Sequence, residues 1–224
     1  SGTTGIPKCI THGAGNALIE HNKEFSLHCN VSNNYKIFYY TTTGWMMWNW
    51  LVGGLSSGAR VYLYDGSPTY PSKDTLIKFC SKEKINLFGI SAKYIDFLKK
   101  ENFNFNYLNL SELKIITSTG SPLAKESFDY VYKNIKQNVH LASISGGTDV
   151  VGCLVLGNIF SNVHSGEIQG ESLGIDVDIF DERGKKVIKN KKGELVIKKP
   201  FPTMPIKFWN DPSNKKFKKA YFLK

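Results

Sequence analysis

Arginine is nearly absent from this 224-residue chain: Arg60 and Arg183 are the only two, so the formal net charge of +10 rests on lysine. Nucleic-acid surfaces gather basic residues on one face and use the planar guanidinium fork to read bases and phosphates. Here the lysines are scattered, and no RNP, KH or zinc-finger pattern is present. The thickest cluster, between residues 215 and 219, lies beside Asp211 as a solvated face. That distribution argues against a nucleic-acid partner and leaves the surplus charge as attraction for small polyanions.

Other absences narrow the class further. The four cysteines, Cys9, Cys29, Cys80 and Cys153, are widely spaced, with no C-x-x-C pair and no histidine at ligand spacing, so neither zinc nor a disulfide framework is implied. Reduced thiols fit a cytoplasmic protein. The longest apolar run, residues 45–55, is broken by Asn49 and two glycines. It falls short of the roughly 20 residues needed to span a bilayer, so it reads as a buried helix and argues against membrane insertion. A Gly-x-Ser-x-Gly elbow is missing, and the neighbouring His164 and Ser165 make no triad, which disfavours a serine hydrolase. His12 and His164 read as hydrogen-bonded structural side chains. There is also no initiating methionine, so a piece of a longer protein is expected.

The first eight residues are Ser1-Gly2-Thr3-Thr4-Gly5-Ile6-Pro7-Lys8. Glycines let backbone N–H groups turn toward anionic oxygens, threonines add short donors, and the lysine supplies a mobile positive charge, which together make a phosphate cradle. It is not a Walker A loop, because Pro7 separates Gly5 from Lys8 and Cys9 follows. Downstream come Gly120-Ser121-Pro122, then Ser145-Gly146-Gly147-Thr148-Asp149, then Gly193-Glu194-Leu195. Asp149 is a hard oxygen ligand of the kind magnesium takes while keeping its waters and nucleotide phosphates.

The order of these four segments resembles that of the adenylate-forming superfamily of acyl-CoA synthetases, luciferases and adenylation domains. The resemblance implies that Ser1, Gly2, Thr3, Thr4, Gly5 and Lys8 bind the triphosphate of ATP and that Gly120, Ser121 and Pro122 lie against adenine. It further implies that Gly147 and Thr148 join the nucleotide site, that Lys8 and Thr148 act in catalysis, and that Asp149 holds Mg2+. Within the superfamily, residues 41–50, 144–152, 164–169 and 204–212 are similar to those of the acetoacetate–CoA ligases. Such enzymes turn acetoacetate and ATP into an acyl-adenylate and pass the acyl group to coenzyme A. Trp45, Met46, Met47 and Gly146 are then the substrate pocket. Acetate-specific relatives place tryptophan at the position of Gly146, so the glycine is expected to leave the pocket open, while methionine lines it with adaptable surface. Packing alone discriminates by only about 1–3 kcal/mol per methylene. A ligase for another short or medium-chain acid, an adenylating domain that loads a carrier protein, and a non-catalytic nucleotide-binding module stay open at this point. Two departures stand out: Cys9 where most members have glycine, and Ser145 where most stack an aromatic on adenine. The chain also stops before the family's hinge and its lysine-bearing C-terminal domain, so the expectation is a fragment unable to complete the reaction alone.

Alternation gives the architecture. β-prone runs at residues 59–64, 85–90, 113–118 and 139–143 alternate with helical patterns at 16–27, 72–82, 92–100 and 124–135, the rhythm of βαβ units with a parallel sheet. Ligand loops belong beyond the carboxyl ends of such strands, where Gly120 and Gly146 fall. After residue 170 short strands at 174–180, 186–188 and 194–198, joined by Gly-containing turns, read as a small β-barrel-like subdomain. The division is an α/β region over 1–169 and a β-rich region over 170–224.

Overall fold

A short strand β1 (Ile10–Thr11) leads into helix α1 (Ala14–Lys23), which runs on through a wider π turn at Glu24–His28. The next elements are β2 (Lys36–Tyr39), α2 (Met46–Gly53), β3 (Arg60–Tyr62), α3 (Thr75–Glu83), β4 (Leu87–Ser91), α4 (Ala92–Lys100), β5 (Ile115–Thr119), α5 (Lys125–Tyr130) and β6 (His140–Ser143). These coordinates are a computed structural model that describes residues 8–188 and 191–222. Strands β2 to β6 form one five-stranded parallel sheet in the order β3-β2-β4-β5-β6. All four strands and all four helices expected from the alternation are present within a few residues. The strand at Lys36–Tyr39, second in the sheet, was not foreseen.

A parallel sheet covered on both faces must be apolar on both, because successive side chains alternate sides. Phe38, Phe88, Ile116 and Leu141 point to one face, where Leu76 and Ile77 of α3, Ile95 and Leu98 of α4, and Phe128 of α5 cover them. Ile37, Tyr39, Leu87, Ile115 and Ala142 point to the other, under Phe25 and the Met47, Trp50 and Leu51 face of α2. Gly89 is required by this second layer: a Cβ there would sit 2.0 Å from the Tyr39 ring, which lies across β4. Helix α4 starts where the Ser91 hydroxyl accepts the Tyr94 N–H at 3.2 Å, a side-chain cap.

Past the sheet the chain turns antiparallel. Strands β7 (Ser145–Gly147), β8 (Gly152–Leu156) and β9 (Gly170–Glu171) form a three-stranded sheet. Strands β10 (Val177–Phe180) and β11 (Glu194–Ile197) make a ribbon, extended by a bridge from Phe180 to Lys186. Strand β12 (Lys207–Phe208) returns to pair with β1, and helix α6 (Lys215–Tyr221) follows. Among the described residues these strands form ribbons rather than a closed barrel. Two of the pairings, β8 with β9 and β1 with β12, cross residue 170 and stitch the β-rich part onto the α/β part.

Candidate functional site

Loops at the carboxyl ends of β2, β5 and β6 enclose one cleft of about 920 Å³. The loop after β5 supplies Gly120, Ser121 and Pro122. Gly120 has φ +91°, a left-handed conformation that glycine adopts without the strain of a Cβ. The Thr119 hydroxyl donates to the Ile144 carbonyl at 2.8 Å, lacing this loop to the one after β6. From that second loop come Gly146, Gly147, Thr148 and Asp149, and Lys8 stands beside them. The lining also includes Trp45, Met46 and Met47 at the start of α2 and Cys153 of β8. Both methionines are buried in the core while they line the cleft, so packing and pocket are one role here.

The sequence-predicted residues Lys8, Trp45, Met46, Met47, Gly120, Ser121, Pro122, Gly146, Gly147, Thr148 and Asp149 are therefore brought to one cavity. Ser1, Gly2, Thr3, Thr4 and Gly5 lie outside the described residues. Ser145 is exposed on β7. His164 is also exposed, and its loop reaches the cleft through Gly166 and Ile168 instead. Gly193 lies away on β11's turn, where a Cβ would meet the Phe180 carbonyl at 2.6 Å.

The geometry corrects the reason given for Gly146. A Cβ at 146 would lie 2.0 Å from the Gly152 carbonyl oxygen and 2.7 Å from the Cys153 Cα. The glycine lets β7 approach β8 at an irregular register rather than leaving vacant space for an acyl chain. A tryptophan there has to displace strand β8.

The turn that carries Thr148 and Asp149 is tightly braced. Val151, two residues on, has φ +46°, an outlier for a β-branched residue and a marker of a backbone held by its surroundings. Its carbonyl accepts from Nε2 of buried His21 at 2.7 Å. Burial lowers the His21 pKa, which keeps the imidazole neutral and leaves one N–H for this bond. The ring of His12 reaches the Thr148 carbonyl through Nε2 at 2.9 Å and the Thr203 carbonyl through Nδ1 at 3.0 Å. His12 is thus a brace, as expected of a structural histidine. Asp149 itself is gripped by Tyr221, whose hydroxyl donates to Oδ1 at 2.5 Å. Burial, then the Asp149 contact, raises the Tyr221 pKa and keeps that hydroxyl protonated.

The apolar wall has its own hidden support. Glu24, fully buried, accepts from the Trp50 indole N–H at 2.6 Å through Oε2 and from the Cys153 backbone N–H at 2.7 Å through Oε1. It ties α2 to β8, the two elements that carry Met46, Met47 and Cys153. Burial first, then the nearby Glu20 charge, pushes the Glu24 pKa up to about 8. Glu20 is steadied by Lys23 Nζ at 2.6 Å, which also donates to Ser172.

These braces, His21, Glu24, Trp50, Thr203 and Tyr221, were not singled out in the sequence. The stripe Glu20, His21, Glu24 and His28 was a usable signal, since polar residues at helical spacing fell on the face that α1 had to bury.

Among the described residues no three or more His, Cys, Asp or Glu side chains are placed to hold a metal ion. One carboxylate at the cleft, with the Thr148 hydroxyl beside it, suits magnesium that arrives with phosphates and waters, and does not suit an ion caged by protein. The neighbouring Lys8 ammonium and the glycine turns suit phosphate oxygens.

The family described as AMP-binding enzyme matches residues 1–205. The chain belongs to that family. It is 52% identical over 223 residues to acetoacetyl-coenzyme A synthetase of Rhizobium meliloti (strain 1021), which covers 99% of this chain and 34% of that protein. It is 50% identical over 225 residues to acetoacetyl-CoA synthetase of Gallus gallus, covering 100% of this chain and 34% of the relative. The solved acetoacetyl-CoA synthetase from Streptomyces lividans superposes with a TM-score of 0.90 at 39% identity, over 99% of this chain and 35% of that one. The chain thus spans about a third of the length of the relatives it matches.

Proposed function

We propose that this chain is the nucleotide- and acyl-binding part of an AMP-forming acid–thiol ligase whose acid is acetoacetate. The observation that carries the reading is one cleft lined both by Lys8, Thr148 and Asp149 and by the apolar Trp45–Met47 segment. It is supported by relatives at about 50% identity that bear the acetoacetyl-CoA synthetase name.

In this reading Gly120, Ser121 and Pro122 border the adenine, and Lys8 and Thr148 bind the phosphates. A carboxylate oxygen of acetoacetate, held against Met46 and Met47, attacks the α-phosphorus, and the bond from that phosphorus to the bridging oxygen breaks to release pyrophosphate. In the second half-reaction the coenzyme A sulfur attacks the acyl carbonyl, and AMP leaves with its phosphate oxygen. No side chain serves as nucleophile; the protein positions the reactants and neutralises charge. Asp149 would hold magnesium together with the nucleotide phosphates, and the ion would supply Lewis-acid neutralisation of phosphate charge.

The α/β region up to residue 169 carries the residues that line the cleft, while the region from 170 onward braces them, Thr203 through His12 and Tyr221 through Asp149. No helix among the described residues is long and apolar enough to cross a membrane. The four free cysteines suit the cytoplasm. The test is a comparison of acids in the full protein, in which acetoacetate gives a higher kcat/KM than acetate or butyrate. A preference for another acid overturns the substrate assignment.

A further inference from the structure

Tyr221 meets both charged groups that the cleft offers to a triphosphate. Its hydroxyl donates to Asp149 Oδ1 at 2.5 Å, and the Lys8 ammonium lies 6.0 Å from its ring centroid, at the edge of cation–π range. Among the described residues nothing else hydrogen-bonds the Asp149 carboxylate, and Asp149 lines the cleft. The three residues are distant in sequence, and the fold assembles them deliberately. Trp209 N–H donates to the Cys9 carbonyl at 2.8 Å and Ile206 N–H to the Thr11 carbonyl at 2.9 Å, fastening β12 beside the strand that follows Lys8. The Asp211 carboxylate accepts the Phe217 N–H at 2.9 Å and pins the first turn of α6. Phe208 meets Phe217 at 5.5 Å and Tyr221 at 5.7 Å between centroids, which fixes the tyrosine ring.

We propose that Tyr221 is a positioning residue that sets the Asp149 carboxylate, one oxygen held and one presented, for magnesium brought in on the nucleotide. The role rests on the assignment of Asp149 as the magnesium ligand. A free carboxylate on a turn has several rotamers, and only some present an oxygen to the triphosphate. Holding one oxygen removes that freedom before the metal arrives, as outer partners of metal ligands do. The role predicts an effect on metal binding and little effect on the chemical step once the metal is bound.

The experiment uses the full protein with Tyr221→Phe, Asp149→Asn and the parent. Two quantities are read: the affinity for ATP with Mg2+ or Mn2+, by calorimetry and by electron paramagnetic resonance of Mn2+, and the metal dependence of ATP–pyrophosphate exchange. Tyr221→Phe keeps the ring contacts and removes only the hydroxyl. It is expected to weaken metal-dependent ATP binding and to raise the half-saturating Mg2+ concentration by about tenfold, the scale of one lost hydrogen bond to a charged group. The exchange rate at saturating metal and the melting temperature are expected to stay near the parent's. An unchanged Mg2+ requirement in Tyr221→Phe, while Asp149→Asn loses metal-dependent exchange, overturns the positioning role and leaves the magnesium assignment standing. An unchanged requirement in Asp149→Asn overturns both. A fall in saturated rate with no change in metal affinity also overturns the proposal, because it assigns Tyr221 to the chemistry instead.

Discussion

The two sides of the cleft are built in opposite ways. The part we assign to the acyl group stands on the parallel sheet: Met46 and Met47 belong to a core layer with Trp50, Tyr39 and Leu87, and a buried glutamate ties α2 to β8. The phosphate side stands on seams, where β1 meets β12, where His12 spans the Thr148 and Thr203 carbonyls, and where α6 reaches Asp149. Shape is therefore stored in the interior, where close packing resists change. Charge is stored in pieces 70 to 200 residues apart that polar contacts hold in place. Damage to the first side should appear as lost stability or altered acid preference, and damage to the second as lost nucleotide or metal binding in a protein that still melts normally.

The largest break in that contrast is Asp149→Asn. It removes the proposed metal ligand at a half-buried position without touching the sheet, so magnesium-dependent pyrophosphate exchange should fall by about 100-fold or more while the melting temperature hardly moves. Normal exchange would remove Asp149 from the metal site.

Next in size is Gly146→Ala, which tests the corrected role of this glycine. The new methyl meets the backbone of Gly152 and Cys153, so chemical denaturation should show a loss of about 1–3 kcal/mol, as for overpacking. Undiminished stability with a shifted acid preference would restore the idea that position 146 is open space facing the acyl chain.

Glu24→Gln sharpens the acyl side through pH. The folded pKa of Glu24, about 8, lies above the unfolded value of about 4.3. Its stabilising contribution is full below the unfolded value and declines, by up to about 1.4 kcal/mol per pH unit, as pH rises toward 8. Glutamine turns an amide N–H toward one of the two donors, Trp50 or Cys153, and loses that bond. The variant should be less stable than the parent by about 1–3 kcal/mol near pH 5. The gap should narrow as pH approaches 8. A gap that is constant across that range would show that Glu24 is ionised throughout.

The smallest expected effect is His12→Ala. Loss of the two backbone contacts should raise the KM for ATP by a few fold, with little change in acid preference and a melting temperature near the parent's, read by steady-state kinetics and thermal denaturation. A change in acid preference would place His12 on the wrong side of the cleft.

The parallel strands over 85–90, 113–118 and 139–143 were legible because burial on both faces writes itself as continuous apolar runs. Lys36–Tyr39 was not, since its β-prone core is four residues long between two asparagines and three threonines, and only pairing on both edges reveals it as a strand near the sheet's centre. The gathering of the glycine turns, Lys8, Thr148 and Asp149 at one cleft was legible because short local runs of glycine, hydroxyl and charged residues mark loops that face ligands. Tyr221 and Glu24 were not, because each acts through tertiary contacts, 72 residues away for Tyr221 and 26 and 129 for Glu24, and a tyrosine in a lysine-rich helix or a glutamate on an amphipathic helix carries no local mark. Gly146 lines the cleft, but a side chain there would have met strand β8, and sequence does not show which way an absent side chain would have pointed.

The central claim is that this cleft activates acetoacetate on ATP, and acetoacetate-dependent ATP–pyrophosphate exchange in the full protein tests it most directly. The account predicts exchange that requires acetoacetate and Mg2+, is much weaker with acetate, and disappears in Asp149→Asn. Exchange that ignores acetoacetate, or that survives in Asp149→Asn, would contradict it.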